Sequence, residues 1–290
     1  MQVSVVIAAW NGASVIGHQL DALARQQWHA PWEIVVADNG SRDGTRAVVA
    51  EYRARLANLR LVDASARSGL THARNVGARA ALGESLLFLD QDDEAGSGWL
   101  AAMGDALQRH DLVAGRLEHD RLNETRAIAV RGRPQSDGLI LWRLGTYHPF
   151  AFGCTIGIRR SLHESVGGWD EDFTAGGEDL DYCWRLYRAG ATLEFVPAAV
   201  VHYRSRHELS DLYRQARAYG EAEVLVYKKH RPLGLPAAPH PWRTGARGWL
   251  GLARRFALAW DEHQRALAAW NLGLRVGLAR GTLKHRVVLL

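Results

Sequence analysis

Short apolar runs alternating with stretches of helical spacing fill most of this chain, and that alternation leaves few folds open. Val3 to Ala9 is an apolar strand, Ser14 to Gln27 places Val15, Ile16, Leu20 and Leu23 at helical spacing, and Glu33 to Ala37 is a second strand. Arg42 to Ala57 continues as a helix, Leu59 to Val62 as a short strand, Leu70 to Leu82 as a helix, and Leu86 to Leu89 as a further strand. Strand, helix and strand in this order predict an α/β fold, a mostly parallel sheet with helices on both faces. Asp111 to Gly115 adds a strand, Arg116 to Ser136 is polar and weakly periodic, and Phe152 to Ile158 is again strand-like. A helix over Asp179 to Ala189, a strand over Leu193 to Val201 and a helix over Leu209 to Lys229 complete the pattern.

In open α/β sheets ligands collect outside the carboxyl ends of the strands, so the residues that follow each apolar run carry the functional argument. Ser85-Leu86-Leu87-Phe88-Leu89 runs directly into Asp90-Gln91-Asp92. Carboxylates at i and i+2 leave a strand end on one side, where both can reach a hard cation such as Mg²⁺ or Mn²⁺, and the cation can hold a diphosphate. The competing reading is a solvated acidic turn in which Asp92 or Asp93 caps the next helix. The first strand ends in Ala8-Ala9-Trp10-Asn11-Gly12, and the second in Asp38-Asn39-Gly40-Ser41-Arg42-Asp43-Gly44-Thr45. Asn39-Gly40 supplies a tight turn and Ser41 or Asp43 a helix cap, which leaves Asp38 as the group that turn chemistry does not need and a candidate partner for a nucleotide's ribose or base. Neither GxGxxG nor GxxxxGK[ST] occurs, which disfavours a nicotinamide dehydrogenase and a P-loop NTPase.

The charge distribution narrows the class further. The chain is net +5, but residues 231–290, with ten basic and two acidic side chains, are net +8, so the first 230 residues are net −3. A basic appendage on an acidic body does not fit a nucleic-acid binder, and no helix-turn-helix, zinc-finger or RNA-binding signature is present. With 290 residues, 47% of them hydrophobic, the chain holds a sizeable core. No apolar run approaches the roughly 18 to 20 residues of a membrane span. Cys154 and Cys183 lie in no CxxC or His/Cys cluster and read as core thiols.

Four segments, in order and spacing, resemble family 2 glycosyltransferases of the GT-A fold: Val3 to Gly12, Asp38 to Thr45, Gly69-Leu70-Thr71-His72-Ala73-Arg74-Asn75-Val76-Gly77, and Leu87-Phe88-Leu89-Asp90-Gln91-Asp92-Asp93. Gly167-Gly168-Trp169-Asp170-Glu171-Asp172-Phe173 and Gly176-Gly177-Glu178-Asp179-Leu180-Asp181 extend the likeness to about residue 205. Ala8-Ala9-Trp10 stands where the family more often has Pro-Thr-Tyr. The resemblance implies inverting transfer of a sugar from a nucleotide-diphosphate sugar to an acceptor hydroxyl. It places Ala8, Trp10, Asp38, Arg74, Asp90 and Gln91 at the donor nucleotide, Asp92 and Asp90 at a Mn²⁺ or Mg²⁺ ion, and Asp179 as the base with Glu178 orienting the acceptor. A cation would offset the charge that develops on the leaving diphosphate. Glu178, Asp179 and Asp181 also suit the dipole of a helix start, which on its own would explain them. His202, at the end of a strand, matches a position where several family members ligate the metal, and imidazole is a competent third ligand.

The expected organisation is a catalytic domain over 1–230 and a basic helical extension over 231–290. In the extension Trp249, Leu252, Phe256, Trp260, Leu267, Trp270 and Leu274 recur at helical spacing among Arg247, Arg254, Arg265 and Lys284. Packing on the catalytic domain or in a homodimer is the favoured reading of this stripe, and contact with anionic lipids at the inner face of the membrane is the other. The expected setting is the cytoplasm, with a saccharide, lipid-linked or small-molecule acceptor. A sugar nucleotidyltransferase is the weaker alternative, because Trp10 to Ser14 lacks Lys or Arg, and a non-catalytic nucleotide-sugar module is opposed by the intact carboxylates.

Overall fold

The computed structural model describes residues 2–142, 147–236, 248–252, 261–287 and 289. The first half follows the alternation read from the sequence: β1 (Val3–Ala9), α1 (Ile16–Ala24), β2 (Trp32–Asp38), α2 (Thr45–Tyr52), β3 (Leu59–Asp63), α3 (Leu70–Ala80) and β4 (Ser85–Asp90). These strands are parallel neighbours in the order β3-β2-β1-β4. Val3, Val5, Val6 and Ile7 of β1 are fully buried, because helices cover both faces of the sheet. Register places Ala9 beside Asp38 and Ala8 beside Asp90, so the candidate residues after three strands share one edge.

The second half is β5 (Glu94–Ala95), α4 (Trp99–Leu107), β6 (Leu112–Glu118), α5 (Thr125–Arg131), β7 (Ile156–Arg159), α6 (Arg160–Ser165), α7 (Glu178–Arg188), β8 (Leu193–His202), α8 (Leu209–His230) and α9 (Glu262–His285). Here the sheet turns mixed, with the order β4-β7-β6-β8-β5: β7 runs antiparallel to both β4 and β6, β5 runs antiparallel to β8, and β6 and β8 are parallel. Phe152 to Ile158 is divided rather than one strand, a 3-10 turn over Gly153–Thr155 followed by β7. The sequence reading assigned no element between Leu89 and Asp111, yet α4 buries Trp99, Leu100, Met103, Ala106 and Leu107 along one stripe. Asp93 caps no helix: α4 starts after Gly98, and the Asp93 carboxylate instead accepts the Arg204 N–H at 2.8 Å, tying the exit of β4 to the exit of β8.

Helices α7 and α8 meet through a buried charged cluster. Asp181 accepts from Arg185 Nε at 2.7 Å and from His230 Nε2 at 2.9 Å, and Arg188 donates to His230 Nδ1 at 2.8 Å. Burial works against the Asp181 charge, but the His230 and Arg185 bonds hold its carboxyl below the ordinary value. Asp181 therefore belongs to the scaffold, unlike its neighbours Glu178 and Asp179.

The C-terminal helix packs on its own domain. Gly273, Gly277 and Gly281 line one side of α9, and a Cβ on Gly277 would collide with the Arg217 carbonyl oxygen of α8. Small residues at spacing four let the two backbones approach closely. Leu278 and Leu289 share a buried cluster with Leu180, Trp184, Val224 and Val226. Phe256, Trp260, Arg247 and Arg254 of the expected stripe lie outside the described residues, whereas Trp249 and Leu250 are exposed. Among the described residues no helix is long and apolar enough to cross a membrane. A Gly277→Ala substitution is expected to lower unfolding stability by about 1–3 kcal/mol, read as a reduced midpoint in urea at unchanged slope. An unchanged midpoint would show that α8 and α9 do not pack this closely.

Candidate active site

A cavity of about 600 Å³ opens at the carboxyl ends of β1 and β4 and is closed by the start of α7 and by α8. Ala8, Trp10, Arg74, Asp90, Gln91 and Asp92 line it together with Glu178 and Asp179. The structure thus brings eight of the ten residues singled out in the sequence to one cavity. Asp38 and His202 are not in its wall.

Trp10 is 60% exposed, and the loop that carries it is held by Gln91, whose amide accepts from Trp10 N–H and donates to Trp10 C=O, both at 3.0 Å. The Gln91 side chain therefore braces Trp10, where the sequence reading expected a nucleotide contact. Asp38 is fully buried, accepts from the Ser41 N–H at 3.3 Å and pairs with Arg46 Nε at 2.6 Å. Turn chemistry does use Asp38, contrary to expectation, and its neighbour Asn39 lines the cavity instead. Asn39 is fixed in turn by the Gly69 N–H and by the carbonyls of Ala64 and Arg67.

Arg74 lies at the centre. Its guanidinium is 1% exposed, donates to Asp90 Oδ1 at 2.7 Å, approaches Glu178 Oε1 at 3.6 Å and rests 4.8 Å above the Trp169 ring. Nε and Nη1 have no hydrogen-bond partner, nor does Glu178 Oε2. One buried cation faces a larger set of carboxylates. Burial and then Asp90 push the Asp92 carboxyl up, and burial with Asp92 and Asp90 pushes Asp93 well up. Burial raises Glu178 against the pull of Arg74. Burial and the adjacent Glu178 raise Asp179 to about 7. The turn that presents Glu178 and Asp179 needs two glycines, because Gly176 and Gly177 take φ of +89° and +78°.

Ligand atoms of Asp90, Asp93 and Cys154 lie within 4.8 Å of one another. Burial pushes the Asp93 carboxyl and the Cys154 thiol well up, which disfavours the charged forms a hard cation takes in the inner part of this cluster. Asp90 and Asp92, at the cavity wall and under mutual repulsion, are the oxygen donors whose chemistry fits a divalent ion. The expected third ligand, His202, is placed otherwise: Nδ1 bonds Glu118 at 2.7 Å, Nε2 faces Arg121 Nη1 at 3.4 Å, and the following residues Tyr203 and Arg204 reach the cavity in its stead. Sequence reasoning also missed Arg206, whose guanidinium is 3.6 Å from Asp92 Oδ2, and Arg204, which donates to the Asp92 carbonyl at 2.9 Å. The signal was present as Arg204-Ser205-Arg206, basic residues after a strand end opposite an acidic one.

Residues 4–167 match the sequence profile of the family described as Glycosyl transferase family 2, and residues 136–260 that of Glycosyl transferase family group 2. The chain belongs to glycosyl transferase family 2. It is 25% identical over 232 residues to glycosyltransferase AglE of Haloferax volcanii, which covers 79% of this chain and 75% of the relative. Mouse polypeptide N-acetylgalactosaminyltransferase 12 is 29% identical over 230 residues, covering 68% of this chain, and validoxylamine A glucosyltransferase of Streptomyces hygroscopicus is 31% identical over 220 residues, covering 64%. The chain spans 39% and 51% of the length of those two relatives. Among solved structures, mannosyltransferase PcManGT of Pyrobaculum calidifontis, in complex with GDP-Man and Mn²⁺, superposes with a TM-score of 0.65 at 22% identity, over 97% of this chain and 87% of that one. Staphylococcus aureus TarS 1-349 with UDP gives 0.55 at 20% identity, over 99% and 92%. These neighbours identify the fold as GT-A.

Replacing Arg74 by Met leaves Asp90 and Glu178 without their shared cation. The expected loss is about 3–5 kcal/mol of unfolding free energy, read from urea denaturation at neutral pH. A loss under about 1 kcal/mol, the range of an exposed pair, would contradict the buried bridge.

Proposed function

We propose that the protein transfers a sugar, with inversion, from a nucleotide-diphosphate sugar to an acceptor hydroxyl. The observation that carries this reading is the convergence of Asp90 and Asp92, at the end of β4, with Asp179, at the start of α7, in the wall of one cavity. The nucleotide is assigned to the side of Ala8, Trp10, Asn39 and Arg74, the reacting bond to the middle, and the acceptor to the side of Glu178 and Asp179. Asp38 reaches the nucleoside only by exchanging its bond to the half-exposed Arg46.

Asp92 and Asp90 would hold a divalent ion, Mn²⁺ or Mg²⁺, which when bound stabilises negative charge on the leaving diphosphate without a proton donor. Arg206, close to Asp92 and partly exposed, supplies positive charge on the same side. Asp179 takes the acceptor's proton at its carboxylate oxygen as the hydroxyl oxygen bonds the anomeric carbon and the diphosphate leaves. Glu178, held by Arg74, orients the acceptor hydroxyl. A base whose carboxyl titrates near neutrality balances availability against proton affinity. The acceptor is assigned to the class of saccharides, lipid-linked or free, or small molecules. The net +8 of residues 231–290 with the exposed Trp249 and Leu250 supports contact with an anionic membrane surface.

The direct test incubates the purified chain with UDP-, GDP- and dTDP-sugars and Mn²⁺ or Mg²⁺ and measures nucleotide release. Activity should vanish with EDTA and return with metal, and Asp92→Asn should raise the metal concentration required. Because Asp179 must be ionised to act, kcat/KM should fall as pH drops through about 7 and level off above it. Asp179→Asn should reduce turnover by about 10²–10⁴-fold and abolish that limb. Unchanged turnover in Asp92→Asn and Asp179→Asn together would remove the assignment.

A further inference from the structure

Resting on the transferase reading, we infer that the C-terminal helix α9 positions the base: Trp270 and Arg131 hold Tyr219 against the turn that carries Glu178 and Asp179. Arg131, at the end of α5, has its guanidinium carbon 5.4 Å from the Trp270 ring, 5.6 Å from Tyr219, 5.7 Å from Tyr203 and 6.0 Å from Phe152. It also donates to the Tyr203 hydroxyl at 2.9 Å. Trp270 meets Tyr219 edge to face at 6.0 Å. Three of the four rings, those of Phe152, Tyr203 and Tyr219, line the catalytic cavity, and the fourth comes from the helix that the sequence reading set apart as an appendage.

The chain of contact continues to the reacting groups. Tyr219 fills the place where a Cβ of Gly176 would stand, with its Cδ1 2.5 Å from that position. Ala222 and Val226 of the same helix crowd the corresponding position on Gly177, at 3.1 and 3.2 Å. Two left-handed glycines in succession would otherwise leave the start of α7 free to pivot, and α8 blocks that movement. Helix α8 is itself fixed by the glycine face of α9 and by the Arg131 cage. A guanidinium set against several aromatic rings in a desolvated site is attracted by each ring's quadrupole, which favours one arrangement of these rings. Trp270 and Arg131 stand outside the wall of the cavity, so they are positioning residues.

The test separates positioning from general loosening by measuring nucleotide affinity and turnover in the same variants. The probes are UDP and GDP titrated calorimetrically with Mn²⁺, and the matching nucleotide-sugar hydrolysed in water. In that hydrolysis the anomeric carbon to phosphate-oxygen bond breaks, a water oxygen takes its place, its proton goes to Asp179, and the nucleoside diphosphate leaves. Trp270→Ala and Arg131→Met should keep nucleotide affinity within about two-fold while hydrolysis turnover falls at least about ten-fold, since small misplacement of a reacting group is costly. Trp270→Phe, which keeps a ring at that place, should recover most of the turnover. Arg131→Met removes the cation while retaining bulk, which guards against a Trp270→Ala chain that does not fold. Unchanged turnover in both variants overturns this inference alone, as does a nucleotide affinity that falls in parallel with turnover. A wild-type chain that hydrolyses no donor overturns the transferase reading and this inference with it.

Discussion

Arg74 is the group on which the two halves of the cavity depend. It rises from α3, beneath the parallel half of the sheet, and pairs with Asp90 at the end of β4 and with Glu178 at the start of α7. A guanidinium suits the task because its planar fork can address carboxylates on two elements at once and keeps its charge when desolvated. Removing it would leave uncompensated buried carboxylates, so the donor side and the acceptor side cannot be perturbed separately at this point. Its stacking on Trp169 extends the tie to the Gly167–Phe173 segment, where Glu171 accepts from Asn75 at 3.0 Å.

Arg74, even with Arg204 and Arg206 beside Asp92, leaves the acidic groups gathered around it in excess. Asp90, Asp92, Asp93, Glu178 and Asp179 share a confined space, and burial with mutual repulsion raises four of them. Two outlets follow from elementary electrostatics. Burial pushes some carboxyls well up, as it does Asp93 behind the cavity, and the pair at the wall is disposed to accept a divalent ion. Burial, with the same repulsion from Glu178, raises Asp179 into the range of a general base, so burial and charge together support both a metal side and a base side.

The parallel half of the fold was legible because each strand is short, mostly apolar and flanked by helices of clear spacing, and the carboxyl-end rule then placed Ala8, Asp90 and Asp92 at the cavity. In the mixed half most elements were legible but their pairing was not, since the pairing of β7 with β4 and β6 depends on contacts between segments far apart in sequence that periodicity does not record. The same limit explains the site. Asp93 and His202 sit beside recognisable motifs, but their partners, the Arg204 N–H and the Glu118 carboxylate, come from distant elements. Asp38 was read as free of turn chemistry because Arg46, on the next helix, could not be seen to fold back onto it. Packing of the tail on the catalytic domain was one of the arrangements the helical spacing allowed, but spacing alone does not say which surface a helix covers, whereas the glycines at 273, 277 and 281, set against α8, do.

Burial, the adjacent Glu178 and the buried Arg74 bridge together set the charge of Asp179. Carbon-13 NMR titration of the side-chain carboxyls measures this most directly, comparing the wild-type chain with Arg74→Gln. The Asp179 resonance should titrate near 7 in the wild type and move to higher pH when the guanidinium is lost, because Arg74 favours the ionised carboxylate. A wild-type midpoint near the ordinary aspartate value of about 4, or one that ignores the loss of Arg74, would contradict it.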